Sequence, residues 1–439
     1  MDSQTHETTP VVRPFRINVP EEDLDDLRQR IAATRLRPRV RLRPNPTTEL
    51  TARNETPVKE EQHMETTGNL TSVPLNRRSF LKAGLAATGA LTVGTGSLEH
   101  ATAASAQATV LTAGDAAMLQ FLAAGEALEA DFYIQYNELG GIRDNEIPGG
   151  TGNREYTKRL NGIDPNFSQY IHDTADDEIS HQNFLNAYLV ANGAEAVDME
   201  PFRTLPGSTA TGSSRKLRLT NLMHLTVDTS WWTRYRSRTN NPDVNPTMFE
   251  QAVPDLHNGQ FTAIPRTDAD LLLGDKHIQA IANTAAYHIP TVEQGGGSLR
   301  LAMALKATSV EVLRLLISMG PIELMHFQTW SETAGHAPPL TDPTNGLTFP
   351  DLNSGVDPNN GATGAAIQEM FQTNLIMPEP CPFIDASLPV CSVVRPTNAT
   401  ATGALKFLTA MGLFIGQSDA FFTFMTNLAK AADAAQRGV

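Results

Sequence analysis

Glu178-Ile179-Ser180-His181 and Glu323-Leu324-Met325-His326 decide how the rest of the chain is read. Each sets a carboxylate and an imidazole three residues apart. On a helix the two side chains leave the same face one turn apart and can reach one metal ion. Chance alone would place fewer than one Glu-x-x-His among 24 glutamates and 11 histidines in 439 residues, yet the chain has three. The third, Glu60 to His63, lies in a polar, proline-rich region and is read as the accidental one. Ordinary helical ion pairs remain the alternative for the other two.

Two such motifs on two helices are half of a di-metal carboxylate site inside a four-helix bundle, and the other half is one glutamate from each of two further helices. Glu126 lies in the strongly helical run Asp115 to Leu139, with Leu119, Leu122, Ala130 and Tyr133 four or seven residues away on the same face. A carboxylate on that apolar face needs a cation, a proton or hydrogen-bond donors, whereas Glu138 falls on the side read as polar. Glu293, 30 residues before Glu323, is the second candidate, a natural distance for antiparallel helices joined by a short turn. Asp228 is its rival, should the segment from Leu217 to Ser237 be the third bundle helix instead. The expected metal ligands are thus Glu126, Glu178, His181, Glu293, Glu323 and His326, with Glu129, Glu311 and Glu332 outside the set.

The order glutamate, Glu-x-x-His, long connection, glutamate, Glu-x-x-His resembles the ferritin-like superfamily that includes bacterioferritin and rubrerythrin. Glu126 followed seven residues later by Tyr133 also looks like the first helix of that fold. More closely, the chain is similar to exported bacterial ferritin-like proteins related to plant desiccation-associated proteins, over roughly residues 113–335. The resemblance implies an all-α, ferritin-like four-helix bundle with a long connection between its second and third helices. It also implies two iron (or manganese) ions, and oxidation of ferrous iron or reduction of peroxide or dioxygen.

Composition narrows the partners. The formal charge is −14, and after Gln107 there are 20 basic against 35 acidic residues, so nucleic acid is not an expected partner. Upstream, residues 10–38 resemble the start of the N-terminal region of epoxide hydrolases, but no G-x-S-x-G elbow follows and no activity is carried over. Residues 39–73 are rich in Thr, Pro, Asn and charge, a composition that favours disorder. An upstream coding fragment or an over-long start is the simplest account of residues 1–73, with Met64 as another starting point. Arg77-Arg78, followed by Phe80-Leu81-Lys82, a weakly apolar run from Ala83 to Leu98, and Ala104-Ser105-Ala106 look like a twin-arginine export signal over residues 74–106. The apolar run is too short and polar for a stable membrane span.

The bundle is expected over residues 107–335. Asp115 caps its first helix, and a loop runs from Ile142 to about Phe167. The second helix spans about Ser168 to Ala191, and the third and fourth span roughly His277 to Ala307 and Ser309 to Ala334. Leu217 to Ser237 reads as a helix inside the connection, with Trp231, Trp232 and Tyr235 expected to pack on or cover the core. Pro290, Gly295-Gly296-Gly297 and Gly320-Pro321 interrupt the third and fourth helices beside Glu293 and Glu323, and Arg300 stands where the first helix has Tyr133. Residues 336–439 form a C-terminal extension with a short helix near Thr363 to Leu375 and one long helix from Ala404 to Gln436. Its only cysteines, Cys381 and Cys391, suit a disulfide in an exported protein.

Two functions follow from different classes: an exported di-metal oxidoreductase acting on dioxygen, peroxide or ferrous iron, and a non-enzymatic stress-related or structural bundle. A homo-oligomer fits either. The composition change at the export motif yields one expectation that can be checked directly. A chain beginning at Gln107 should melt at the same temperature as the full chain, and a clear loss of stability would show the upstream residues docked on the bundle.

Overall fold

The computed structural model describes residues 111–227, 261–351, 355–356, 363–364, 380–394 and 400–438. All fall in the second of the two units into which the chain divides, Ala101–Val439. The epoxide-hydrolase-like stretch, Glu60 and His63, the export motif, Asp228, Trp231, Trp232 and Tyr235 lie outside the described residues, as does all of the expected short helix except Thr363 and Gly364.

Four long helices build the core. They are α1 (Ala113–Gly140), α3 (Phe167–Ala191), α4 (Asp275–Ala304) and α5 (Val310–Gly335), with the short α2 (Arg154–Ile163) between α1 and α3. Helix α1 packs along α3 and α4 along α5. The described structure is helical apart from one two-stranded hairpin, β1 (Leu340–Thr341) against β2 (Thr348–Phe349), and a few isolated bridges. Helices α1 and α4 are buried around most of their circumference, the pattern of central rather than surface helices. Both α4 and α5 run on through their prolines. Pro290 and Pro321 have no N–H to donate, so the carbonyls of Ala286 and Ile317, nearly two turns before Glu293 and Glu323, each lose a helical donor.

Several sequence expectations are corrected. Asp115 does not cap α1; Thr112 does, its hydroxyl accepting from the Asp115 amide at 3.0 Å. The Asp115 carboxylate reaches across instead and accepts from the amides of Thr308 and Ser309, both at 2.9 Å, tying the start of α5 to the start of α1. Glu138 is not on a polar face. It is buried and paired with Arg218, and it also accepts from the Ser214 hydroxyl at 2.6 Å. The loop between α1 and α3 contains α2, whose N-cap is Asn153.

Residues 217–227 are not helical, and their hydrogen bonds show why. Leu219 N and Thr220 N donate to Asp131 Oδ2 of α1 at 3.0 and 2.9 Å, while Asn221 N and Thr226 N donate to the carbonyls of Leu413 and Met411. Amides committed to tertiary partners cannot also close helical turns. The long C-terminal helix is two, α6 (Ala401–Ala410) and α7 (Asp419–Asp433). Gly412 between them has φ +84°, and a Cβ there would meet the His224 carbonyl at 2.5 Å, so only glycine fits the turn. Cys381 and Cys391 exchange backbone hydrogen bonds of 3.1 and 3.0 Å as an antiparallel bridge, but the expected disulfide does not join their sulfurs.

The Asp115 contact is a test of this packing. Asp115→Ala leaves two amides without their acceptor and should cost roughly 2–4 kcal/mol in denaturant unfolding. Asp115→Asn keeps one acceptor oxygen and should cost less, and equal stability of all three proteins would show the contact to be dispensable.

Candidate metal centre

Each core helix brings part of one polar cluster into an otherwise apolar interior. Glu126 comes from α1, Glu178 and His181 from α3, Glu293 from α4, and Glu323 and His326 from α5. All four carboxylates are fully buried. Their ligating atoms form two overlapping groups: Glu126, Glu178, His181 and Glu323 in one, and Glu178, Glu293, Glu323 and His326 in the other. Within each group every donor atom lies within 4.8 Å of the others. The structure therefore brings all six sequence-derived residues together, with Glu178 and Glu323 common to both halves.

On one side, His181 Nδ1 lies 3.4 Å from Glu126 Oε2, 3.2 Å from Glu178 Oε2 and 3.4 Å from Glu323 Oε1. On the other, His326 Nδ1 lies 3.1 Å from Glu178 Oε1 and 3.5 Å from Glu293 Oε2. Tyr133, one of the largest buried side chains, donates its hydroxyl hydrogen bond to Glu293 Oε1. The far nitrogen of His326, Nε2, faces Asp177 Oδ2 at 3.1 Å. A carboxylate on the outer imidazole nitrogen fixes the ring so that its inner nitrogen is presented to the cluster, as it commonly does for metal-bound histidines.

Arg300 is the main departure from a cluster of simple ligands. Its buried guanidinium pairs with Glu126 and stands 3.2 Å from Glu323 Oε1 and 3.8 Å from Glu129 Oε2. Seven residues beyond Glu293, it shares that residue's helix face, the one sign in the sequence that it would enter the cluster. Glu129 belongs to neither ligand group, as expected, but is buried beside them, whereas Glu311 and Glu332 are exposed. Asp177 went unnoticed because an acid adjacent to Glu178 reads as surface charge. A third, more open group, Asp144, Glu146 and His172, lies away from the bundle centre, with His172 Nε2 3.0 Å from Asp144 Oδ2.

The electrostatics follow from burial and from the two kinds of neighbour. Burial and the facing Glu323 and Glu126 carboxylates push Glu178 up to about 8. Burial, then Glu323 and Glu178, hold Glu129 well above the usual carboxylate range. Glu293 is raised by burial despite His326. Burial also opposes ionisation of Glu126, yet Arg300 and then His181 bring its carboxyl well below the usual range. Burial works against a charged His181, but hydrogen bonds to Glu126, Glu178 and Glu323 overcome it and raise the imidazole to about 12. His326 is raised in the same way, chiefly by Glu293 and Asp177. In the metal-free protein, protons on the imidazoles and on part of the carboxyl set therefore stand where positive charge is required.

A helical bundle whose core holds four carboxylates and two imidazoles in shared groups is an arrangement that could hold metal ions. Residues 114–224 match the family model of the ferritin-like domain, and residues 74–94 match that of the TAT (twin-arginine translocation) pathway signal sequence. The chain is a twin-arginine-exported protein with a ferritin-like domain. The matched stretch contains Glu126, Glu178 and His181; Glu293, Glu323 and His326 lie beyond it and join the cluster through the fold. No curated protein and no solved structure matches the chain. Among the described residues no helix is long and apolar enough to cross a membrane.

Arg300 gives this cluster its own test. Arg300→Leu should destabilise the metal-free protein by roughly 3–5 kcal/mol in denaturant with chelator present, because it strips a buried cation from buried carboxylates. Arg314→Leu, on the exposed side of α5, is the matched control and should change little. Equal stability of the two variants would show that Arg300 is not an essential counter-charge.

Proposed function

We propose that the cluster holds two transition-metal ions, iron or manganese, and that the protein is an exported di-metal carboxylate oxidoreductase. One observation carries the reading. Glu126 Oε2, Glu178 Oε1, Glu293 Oε2, both oxygens of Glu323 and His326 Nδ1 are buried and have no hydrogen-bond partner outside the cluster itself, only close approaches to one another, His181 and Arg300. Buried acceptors left unmade are costly, and so many from four helices in one place are accounted for by cations among them.

In this reading His181 and Glu126 complete one position and His326 and Glu293 the other, with Glu178 and Glu323 shared. Charge supports it. Five carboxylates, counting Glu129, match two divalent ions plus Arg300, and the imidazoles then bind neutral. Bound iron would supply oxidation of ferrous iron or reduction of dioxygen or peroxide. The chain's own groups would orient and insulate it: Asp177 holds His326, Tyr133 holds Glu293, and the apolar core excludes bulk water.

Arg300 favours a second reading. Its guanidinium already covers Glu126 and Glu323 on the His181 side, so that half could be neutralised by the protein itself, leaving one metal or a purely structural bundle.

Metal stoichiometry separates the two. Elemental analysis of purified protein should find close to two transition-metal ions per chain, with Glu323→Ala lowering occupancy and Glu311→Ala leaving it intact. One ion per chain would favour the Arg300-filled site. Dioxygen or peroxide added to the anaerobic ferrous form should then oxidise it much faster than free iron, and full occupancy without acceleration would assign the site a structural role.

A further inference from the structure

Beside the carboxylate cluster, between the bundle and the C-terminal helices, lies a cavity that the metal reading does not use. Its walls come from α1, α4 and α6 and from the segment leading through α7. Phe121, Leu122, Leu128, Leu299, Phe414 and Met425 make them almost wholly apolar. Free space for the centres of water-sized atoms is about 50 Å³, several times what one water needs. Water gains little in such walls, and apolar cavities of this kind take apolar guests.

Two charged side chains stand among the apolar lining, Glu129 and Arg300. Both are buried, and neither Arg300 Nε nor Glu129 Oε2 has a hydrogen-bond partner. They supply an unused donor and an unused acceptor, and Arg300 also touches Glu126 and Glu323 of the cluster. Glycine brings cavity and cluster together. A Cβ on Gly296 would come within 2.9 Å of Arg300 Nη1, 3.0 Å of Glu323 Oε2 and 3.3 Å of Glu129 Oε1. Gly125, next to Glu126, lines the same cavity, and a Cβ there would meet nothing within 4 Å.

We infer that this cavity binds a neutral, largely apolar small molecule carrying one hydrogen-bonding group, such as an aliphatic alcohol, with that group against Glu129 and Arg300 beside the carboxylate cluster. A neutral guest is selected because Arg300 is already shared among Glu126, Glu323 and Glu129, so an added anion would be buried among carboxylates with no cation left to match it. That the guest would meet a metal centre rests on the reading above; that it binds does not.

The test uses the full exported chain, metal-free and metal-loaded, with 1-octanol and octanoate titrated by calorimetry or ligand-observed NMR. The unchanged protein should bind 1-octanol at least tenfold more tightly than octanoate. Gly125→Leu fills the open space from α1 with a better helix former and should weaken 1-octanol at least tenfold. Ala404→Leu fills it from the α6 side, away from the ligands, and should do the same. Metal content is measured in parallel. Two metals without octanol binding would overturn the cavity proposal and leave the metal reading standing, and octanol binding without metal would do the reverse. Equal octanol affinity in the unchanged protein and both filled variants, or tighter binding of octanoate, would also overturn it.

Discussion

Carboxylates closed inside an apolar core impose the condition on which the rest of the bundle turns. Four fully buried glutamates, with Glu129 beside them, repel one another and are cut off from water. They persist only where positive charge or donated protons accompany them. The chain provides a guanidinium from α4, two imidazoles from α3 and α5, and a phenol from α1. These come from all four core helices, so the helices cannot separate without leaving buried charge uncompensated. The same condition explains glycines of α4 and α5. A Cβ on Gly297 would lie 2.9 Å from Leu324 Cδ2, and one on Gly320 would lie 3.3 Å from the Arg300 Cβ. In the sequence these glycines read as interruptions; in the fold they let α4 and α5 close far enough for Arg300 to reach Glu323.

Helix α1 shows how polar residues can organise a fold as strongly as apolar ones. Besides Glu126, it buries Asp115, Asp131 and Glu138. Asp115 holds the start of α5, Asp131 gathers the Leu219 and Thr220 amides and pairs with Arg203, and Glu138 receives Arg218 and Ser214. Burial raises Asp131 against the pull of Arg203 and of its Thr220 donors. Each carboxylate takes backbone or side-chain donors from a segment with no regular structure of its own. Residues 203–227 can therefore lie against α1 without helical hydrogen bonds.

What the sequence showed and what it hid follow from this difference in range. The Glu-x-x-His pairs, the 30-residue step to Glu323 and the apolar offsets around Glu126 are local patterns, and the four core helices they imply are the helices found. Polar anchors with distant partners are not local. Asp131 lies 88 residues before Leu219 and Glu138 lies 80 before Arg218, so nothing near either residue announces burial. Those same contacts hold the described part, 217–227, of the helix expected over Leu217 to Ser237 in a non-helical course, and Gly412 split the C-terminal helix for a reason held by His224, far away in the chain. Arg300 and Glu129 belong to the same class. Their helix faces were readable, but that they meet across α4 and α1 was not.

The two halves of the cluster are unlike each other, and the difference bears on how cations would enter. The Glu126–His181 half has Arg300 pressed against it, which drives Glu126 far below its ordinary range. The Glu293–His326 half meets the guanidinium only through the shared Glu323; Glu293 itself is raised and is met by the Tyr133 hydroxyl. A divalent ion entering beside His326 would meet carboxylates with unmatched negative charge and an imidazole already oriented by Asp177. An ion entering beside His181 would compete with a resident cation for the same oxygens. Coulomb repulsion between guanidinium and metal would be stronger on that side. If the cluster holds two ions as proposed, the His326 side would be the tighter position for the first, and occupation of the second would require Arg300 to lean toward Glu129, a neighbouring carboxylate outside both ligand groups.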